Sequence, residues 1–269
     1  MARKNFDITP EQVKDFQEAT LMDDDFMEAF FRNNIPAVQL VLSIIMDKPG
    51  LVVSGATVQH TLEDLGNFHG VRFDVYASDA EGRQYDIEFQ NRPDGADPHR
   101  ADFNCAMMTV RTLNRSENYN VLAKRERVVI FITKTDVLKD DKPLYTIERV
   151  IRETSKPFND GTKIIYVNTS HENTSTELGK LIHDFRCKNP DEWYHTDISK
   201  RAKLLKGDEE TVKEIEALKE RVRADATETT AEHIALSLIK DGTLSLAKIA
   251  KICSVDLSRV NELALMVNY

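Results

Sequence analysis

The stretch that decides the fold is GVRFDVYASDAEGRQYDIEFQNR, from Gly70 to Arg92. Val71, Phe73 and Val75 alternate with Arg72, Asp74 and Tyr76. Tyr85, Ile87 and Phe89 alternate in the same way with Asp86, Glu88 and Gln90. A period of two predicts two strands, each packed on one side only. Ser78-Asp79-Ala80-Glu81-Gly82 supplies turn residues between them, and Gly82 tolerates a positive φ. Pairing symmetric about Glu81 sets Asp74 opposite Glu88 and Arg72 opposite Gln90, so two carboxylates share one face of a hairpin.

Working outward, residues 51–59 read as a strand entering the hairpin, and residues 99–113 as a helix leaving it. The run Val128-Val129-Ile130-Phe131-Ile132-Thr133 reads as a buried strand. Upstream, Thr9-Pro10-Glu11-Gln12 is a helix start with a capping box. Asp23-Asp24-Asp25 opens a second helix, and Pro36 restarts one that ends at Lys48-Pro49-Gly50. The order helix, three strands, helix, strand predicts an α/β core.

Farther along, residues 145–151 and 164–167 read as extra strands, and 178–185 and 193–205 as helical segments, with Trp193-Tyr194 assigned to the core. After Gly207 the chain turns rich in Glu and Lys. A helix over 208–223, a polar link at Thr227 to Thr230 and three short helices over 233–239, 244–252 and 257–267 are expected. The domain division predicted is therefore residues 1–206 and a helical appendage, 207–269. Residues 245–260 have helix-turn-helix spacing, with Ser254 where the turn usually has glycine, and suit either DNA reading or helix packing and self-association.

Composition bounds the function. The chain has 269 residues, 41% of them hydrophobic, which is enough for a substantial core. Cys105, Cys187 and Cys253 lack metal-ligand or redox spacing, and no apolar run is long enough to span a bilayer, so a cytoplasmic protein without a membrane partner is expected. With a net charge of −9, nucleic acid would have to be held by a local patch. Arg111, Arg115, Lys124, Arg125 and Arg127, with Arg92 and Arg100 upstream, are the candidates for such a patch or for an ordinary solvated face. There is no phosphate-binding glycine loop and no nucleophile elbow.

Paired carboxylates on neighbouring strands supply the oxygen ligands that a hard divalent cation takes, and they are equally ordinary on a solvated strand face. The wider pattern resembles the PD-(D/E)xK nuclease superfamily and, within it, the recombination-promoting nuclease or PD-(D/E)xK family transposases. The resemblance rests on Met22-Asp23-Asp24, Gln59, Arg72 with Asp74, Glu88-Phe89-Gln90, Arg100 with Phe103-Asn104, Val129 to Thr133, Tyr145 with Arg149, and Leu178-Gly179-Lys180 leading to His183-Asp184-Phe185.

That resemblance implies a restriction-endonuclease-like core with extra strands and a C-terminal helical appendage. It implies a DNA endonuclease in which Asp74, Glu88 and the Phe89 carbonyl hold Mg2+ or Mn2+, with Asp24 assisting. Gln90 stands where the superfamily at large has lysine; an amide can orient water but carries no positive charge. Arg72 and Arg100 are the implied phosphate contacts beside the site, and Arg111 and Arg115 of the basic run are further candidates. The family often has arginine and tyrosine where this chain has Asp102 and Phe103. The alternative is a nuclease fold with weak or no turnover that serves as a DNA-binding or protein-interaction module.

Overall fold

The structure is a computed structural model that describes residues 8–62, 70–92, 96–113, 116–207 and 209–267. The chain divides into two compact units, Lys14–Asp208 and a second made of Met1–Val13 with Glu209–Tyr269.

In the first unit, β1 (Val53–Leu62), β2 (Val71–Asp79) and β3 (Gln84–Gln90) form an antiparallel meander. The turn is built as its residues require. The Asp79 carboxylate accepts the Glu81 and Arg83 amides at 3.1 and 2.9 Å, and Gly82 sits at φ 83°. The pairs Val75↔Ile87, Tyr76↔Asp86, Ala77↔Tyr85 and Ser78↔Gln84 give the register centred on Glu81. β4 (Arg127–Thr133) and β8 (Thr162–Asn168) join β3 in parallel, and β5 (Leu144–Ile147) closes the sheet antiparallel to β8. The strand order is β1-β2-β3-β4-β8-β5. Residues 145–151 do not form one strand: β5 stops at Ile147, and β6 (Val150–Ile151) pairs with β7 (Lys156–Pro157) in a separate ribbon.

Helices cover both faces. On one side α4 (Pro98–Thr112) packs Ala101, Cys105 and Met108 with Val129, Phe131 and Tyr166 of the sheet. On the other, Phe31 of α2 (Asp24–Phe31) and Phe185 of α6 (Glu177–Arg186) meet Phe89, each with ring centroids 5.6 Å away. α3 (Ile35–Ile45), capped by Asn34, shares that side. Residues 193–205 are not one helix. Trp193 is buried against Phe30 at the end of a short turn, Tyr194 is exposed, and α7 (Thr196–Gly207) begins after them. β2 keeps the predicted alternation, but β3 does not: its residues 85–89 are all buried, because α4 covers the face that carries Asp86 and Glu88.

The second unit is helical. α1 (Pro10–Glu18) straddles the division and starts with its capping box in place, Thr9 N–H to Gln12 Oε1 at 2.9 Å and Gln12 N–H to Thr9 Oγ1 at 3.3 Å. The link expected at Thr227 to Thr230 does not exist. α8 runs unbroken from Glu209 to Asp241, since threonines lower helix propensity but no glycine or proline interrupts the ladder. The helix predicted over 233–239 is its last part. α9 (Leu246–Cys253) and α10 (Leu257–Val267) then pack with it around Ala235, Ile249, Val260 and Leu263.

Candidate active site

β2 and β3 stop pairing after Val75↔Ile87, and Asp74 occupies the gap: its Oδ2 accepts the Phe89 N–H at 3.0 Å. Within a strand the N–H and C=O of one residue project to the same edge, so the Phe89 carbonyl faces the Asp74 side as well. The Gln90 carbonyl faces the other way, where it accepts the Lys134 N–H at 3.0 Å.

On the α4 side, β3 presents the row Gln84, Asp86, Glu88. α4 meets it with three polar rungs. Arg100 pairs with Glu88 Oε2, Asn104 Nδ2 donates to Asp86 Oδ2 at 2.8 Å, and Thr112 Oγ1 donates to Gln84 Oε1 at 2.8 Å. One helical turn of four residues rises about 6.0 Å and two strand residues about 6.6 Å, so Arg100 and Asn104 match Glu88 and Asp86 with the helix running against the strand. Arg100 also lies over the Phe131 ring, 5.5 Å from its centroid.

The electrostatics follow from this packing. Burial raises the Asp74 carboxyl, partly offset by the Phe89 amide and reinforced by the charge of Asp24. Burial and then Asp74 push Glu88 up to about 7, against the pull of Arg100. Asp86 is raised well above the ordinary carboxylate range by burial and by Glu88 beside it. Asp86 and Glu88 are in hydrogen-bonding contact, while Asp86 Oδ1 and Glu88 Oε1 find no N–H donor. One proton shared between them would satisfy both oxygens, and burial raises both carboxyls toward holding it.

The other predicted residues are distributed as follows. Asp24 is the exposed first residue of α2; its neighbour Asp23 is the one bound to Asn91, at 2.8 Å. Gln90 is half-buried at the end of β3. Arg72 is exposed on β2, and its charge reaches Asp74. Arg111 is exposed at the end of α4, where its charge acts on His60, and Arg115 lies outside the described residues. Among the described residues the basic run does not form one patch. Arg125 pairs with Glu117 at 3.0 Å, and Arg127 is buried, donating to the carbonyls of Leu122, Arg125 and Asp160. Asp102 pairs with Arg149 at 3.3 Å, and Phe103 is exposed.

Asp86 and Asn104 are the site residues that reading by alternation does not single out. Asp86 appears there as one more polar surface position, although its i, i+2 spacing to Glu88 was visible.

The donor set can be tested against a divalent cation. Two carboxylates and a backbone carbonyl are hard oxygen ligands, and three crowded, partly desolvated carboxyl groups meet one guanidinium, leaving negative charge that such an ion would neutralise. Among the described residues no group of three His, Cys, Asp or Glu side chains is arranged to hold a metal, so the candidate set is Asp74, Glu88 and the carbonyl. The fit is chemical, through this set.

A mixed sheet with acidic residues on adjacent strands and helices on both faces defines a nuclease-like α/β protein with a restriction-endonuclease-like core. The sequence model of the PD-(D/E)XK nuclease family transposases matches residues 59–241, and the chain belongs to that family. It matches no curated protein and no solved structure. Among the described residues no helix is long and apolar enough to cross a membrane.

Proposed function

We propose that the protein is a DNA endonuclease that hydrolyses phosphodiester bonds with the help of Mg2+ or Mn2+. The observation that carries this reading is the convergence of Asp74 with the Phe89 end of β3, next to Glu88. Asp74, Glu88 and the Phe89 carbonyl would hold the ion, with Asp24 adding negative potential. When bound, the ion supplies Lewis acidity to the attacking water and to the scissile phosphate. Gln90 orients that water through its amide, accepting or donating a hydrogen bond without adding charge. Arg72 and Arg100 grip phosphate oxygens at the site, and Arg111 and Arg115 do so farther along the DNA.

Plasmid nicking in Mg2+, Mn2+ or Ca2+ tests the proposal. Asp74→Ala and Glu88→Ala should each abolish cleavage; cleavage that persists equally in both rejects the site.

A second reading has its own support. Gln90 replaces a cation, and Arg100 sits on a proposed ligand, which suits a nuclease fold that binds DNA or protein without turnover. Calorimetry separates the two, because such a module would bind no Mn2+ and its DNA affinity would not depend on the metal.

For the helical residues 207–269 we infer self-association rather than DNA reading. Ile252, Leu257, Leu265 and Met266 of α9 and α10 are exposed, while Arg259 is tied to Glu232 and Glu262. Light scattering of Leu265→Glu against the wild type checks this: an unchanged mass rejects it.

A further inference from the structure

We propose that Arg100 is a latch on Glu88, displaced by the divalent cation and released by that displacement to bind a phosphate. The inference rests on the metal site proposed above. Of the two Glu88 oxygens, Oε2 is the one Arg100 holds, while Oε1 is buried without a hydrogen-bond partner. A cation bound at Glu88 meets the guanidinium on the same carboxylate, and the repulsion between two positive charges at that distance favours release of Arg100 from Oε2.

The surroundings let the latch open without moving α4. Asn104, one turn on, keeps the helix attached to β3 through Asp86, and Thr112 does so again at Gln84. Released from Glu88, the guanidinium still has the Phe131 ring beneath it as a resting surface, and the Arg100 side chain is 41% exposed, so it reaches solvent without repacking the core. An arginine paired with Glu88 would become an unpaired cation beside the carboxylates once the metal is in place. Cation and phosphate binding are then coupled: each raises the affinity for the other by the same factor.

Arg72 supplies the control. Its charge acts on Asp74, as that of Arg100 does, but it makes no contact with Glu88. A general field effect would give both arginines similar weight; a latch would not.

The experiment is Mn2+ titration by calorimetry of the full chain, as wild type, Arg100→Gln and Arg72→Gln, with circular dichroism to establish folding. Arg100→Gln should tighten Mn2+ binding about tenfold, the worth of one charge-assisted hydrogen bond partly replaced by water. Arg72→Gln should change it by less than about threefold, within the range of an exposed charge. Should Arg100→Gln fail to fold, Arg100→Lys, which keeps the charge but not the planar fork, is expected to tighten binding by a smaller factor than tenfold. Equal or weaker Mn2+ binding by the Arg100 variant, or equal tightening by both arginine variants, overturns the latch and leaves the metal site standing. If the wild type and both variants bind no Mn2+, the metal site itself is rejected, and the latch with it.

Discussion

Asp74 Oδ2 accepts the Phe89 N–H at 3.0 Å, one step beyond the last backbone pair between their strands, Val75↔Ile87. A side chain thus completes the edge of β3 and is held in place by doing so. The two roles of Asp74, acceptor and anion, can be separated. Asp74→Asn keeps an acceptor for Phe89 and removes the charge, whereas Asp74→Ala removes both. The asparagine variant should melt like the wild type yet bind Mn2+ at least tenfold more weakly. The alanine variant should lose about 1–2 kcal/mol as well, because a buried N–H is left unpaired. Thermal melts with calorimetry check both parts.

If the proton between Asp86 and Glu88 sits on Asp86, then Asp86→Asn is nearly isosteric with the native group. Its amide can donate to Glu88 while its oxygen accepts from Asn104, as Asp86 Oδ2 does at 2.8 Å. Urea unfolding should place this variant within about 0.5 kcal/mol of the wild type, and Asn104→Ala about 1–3 kcal/mol below it, because the latter strands a buried acceptor. An Asp86→Asn variant as unstable as Asn104→Ala would show that Asp86 is ionised in the fold.

The hairpin register was legible because two local signals agree: the alternation on both strands and a turn whose Gly82 and Asp79 admit one closure. The same signals place Asp74 and Glu88 near one another at the end of the hairpin, just past the last backbone pair. Asp86 was not legible, because a period of two records which residues share a face but not whether a helix covers it, and α4 is placed by contacts far from β3 in sequence. The basic run is ambiguous in a similar way. Composition cannot tell Arg127, which is buried among carbonyls, from an arginine held out to solvent. The unbroken α8 is not legible at Thr227 to Thr230, because weak helix propensity there resembles an interruption although nothing stops a helix already under way.

Metal affinity should depend on pH through Glu88. In the metal-free protein its carboxyl is pushed up to about 7, by burial first and then by Asp74, so below that pH a proton must leave before the ion binds. Mn2+ affinity should fall about tenfold for each unit below pH 7 and level off above it. The linked effect on stability has the opposite sense. Between its ordinary value and about 7 the folded protein holds a proton that the unfolded chain releases, so Glu88 contributes stability at low pH that is lost as pH rises through 7. In EDTA, the stability difference between wild type and Glu88→Gln, measured at pH 5 and pH 7.5, should shift against the wild type at the higher pH.

Gly161 has φ 74°, and a Cβ there would lie 2.3 Å from the Leu122 carbonyl oxygen, which also receives the buried Arg127. Neither backbone can yield without breaking the Arg127 N–H to Gly161 O bond of 2.8 Å that starts the β4–β8 pairing. Gly161→Ala should therefore cost at least about 2 kcal/mol, adding a steric clash to the penalty for a left-handed residue. A thermal melt within 1 °C of the wild type would contradict this.

Ser254 ends α9 in the left-handed conformation, φ 55° and ψ 32°, with its N–H on the Ala250 carbonyl. The sequence places serine where this turn usually has glycine, and the geometry is the one glycine adopts without a Cβ penalty. Ser254→Gly should therefore stabilise the packing of α8, α9 and α10 around Ile249 and Val260 by about 0.5–1 kcal/mol, the left-handed strain relieved less the extra freedom of glycine when unfolded. Hydrogen exchange of the α9 and α10 amides reads this directly: slower exchange is expected in the variant. Faster exchange would mean that the serine hydroxyl contributes more to the turn than its backbone costs.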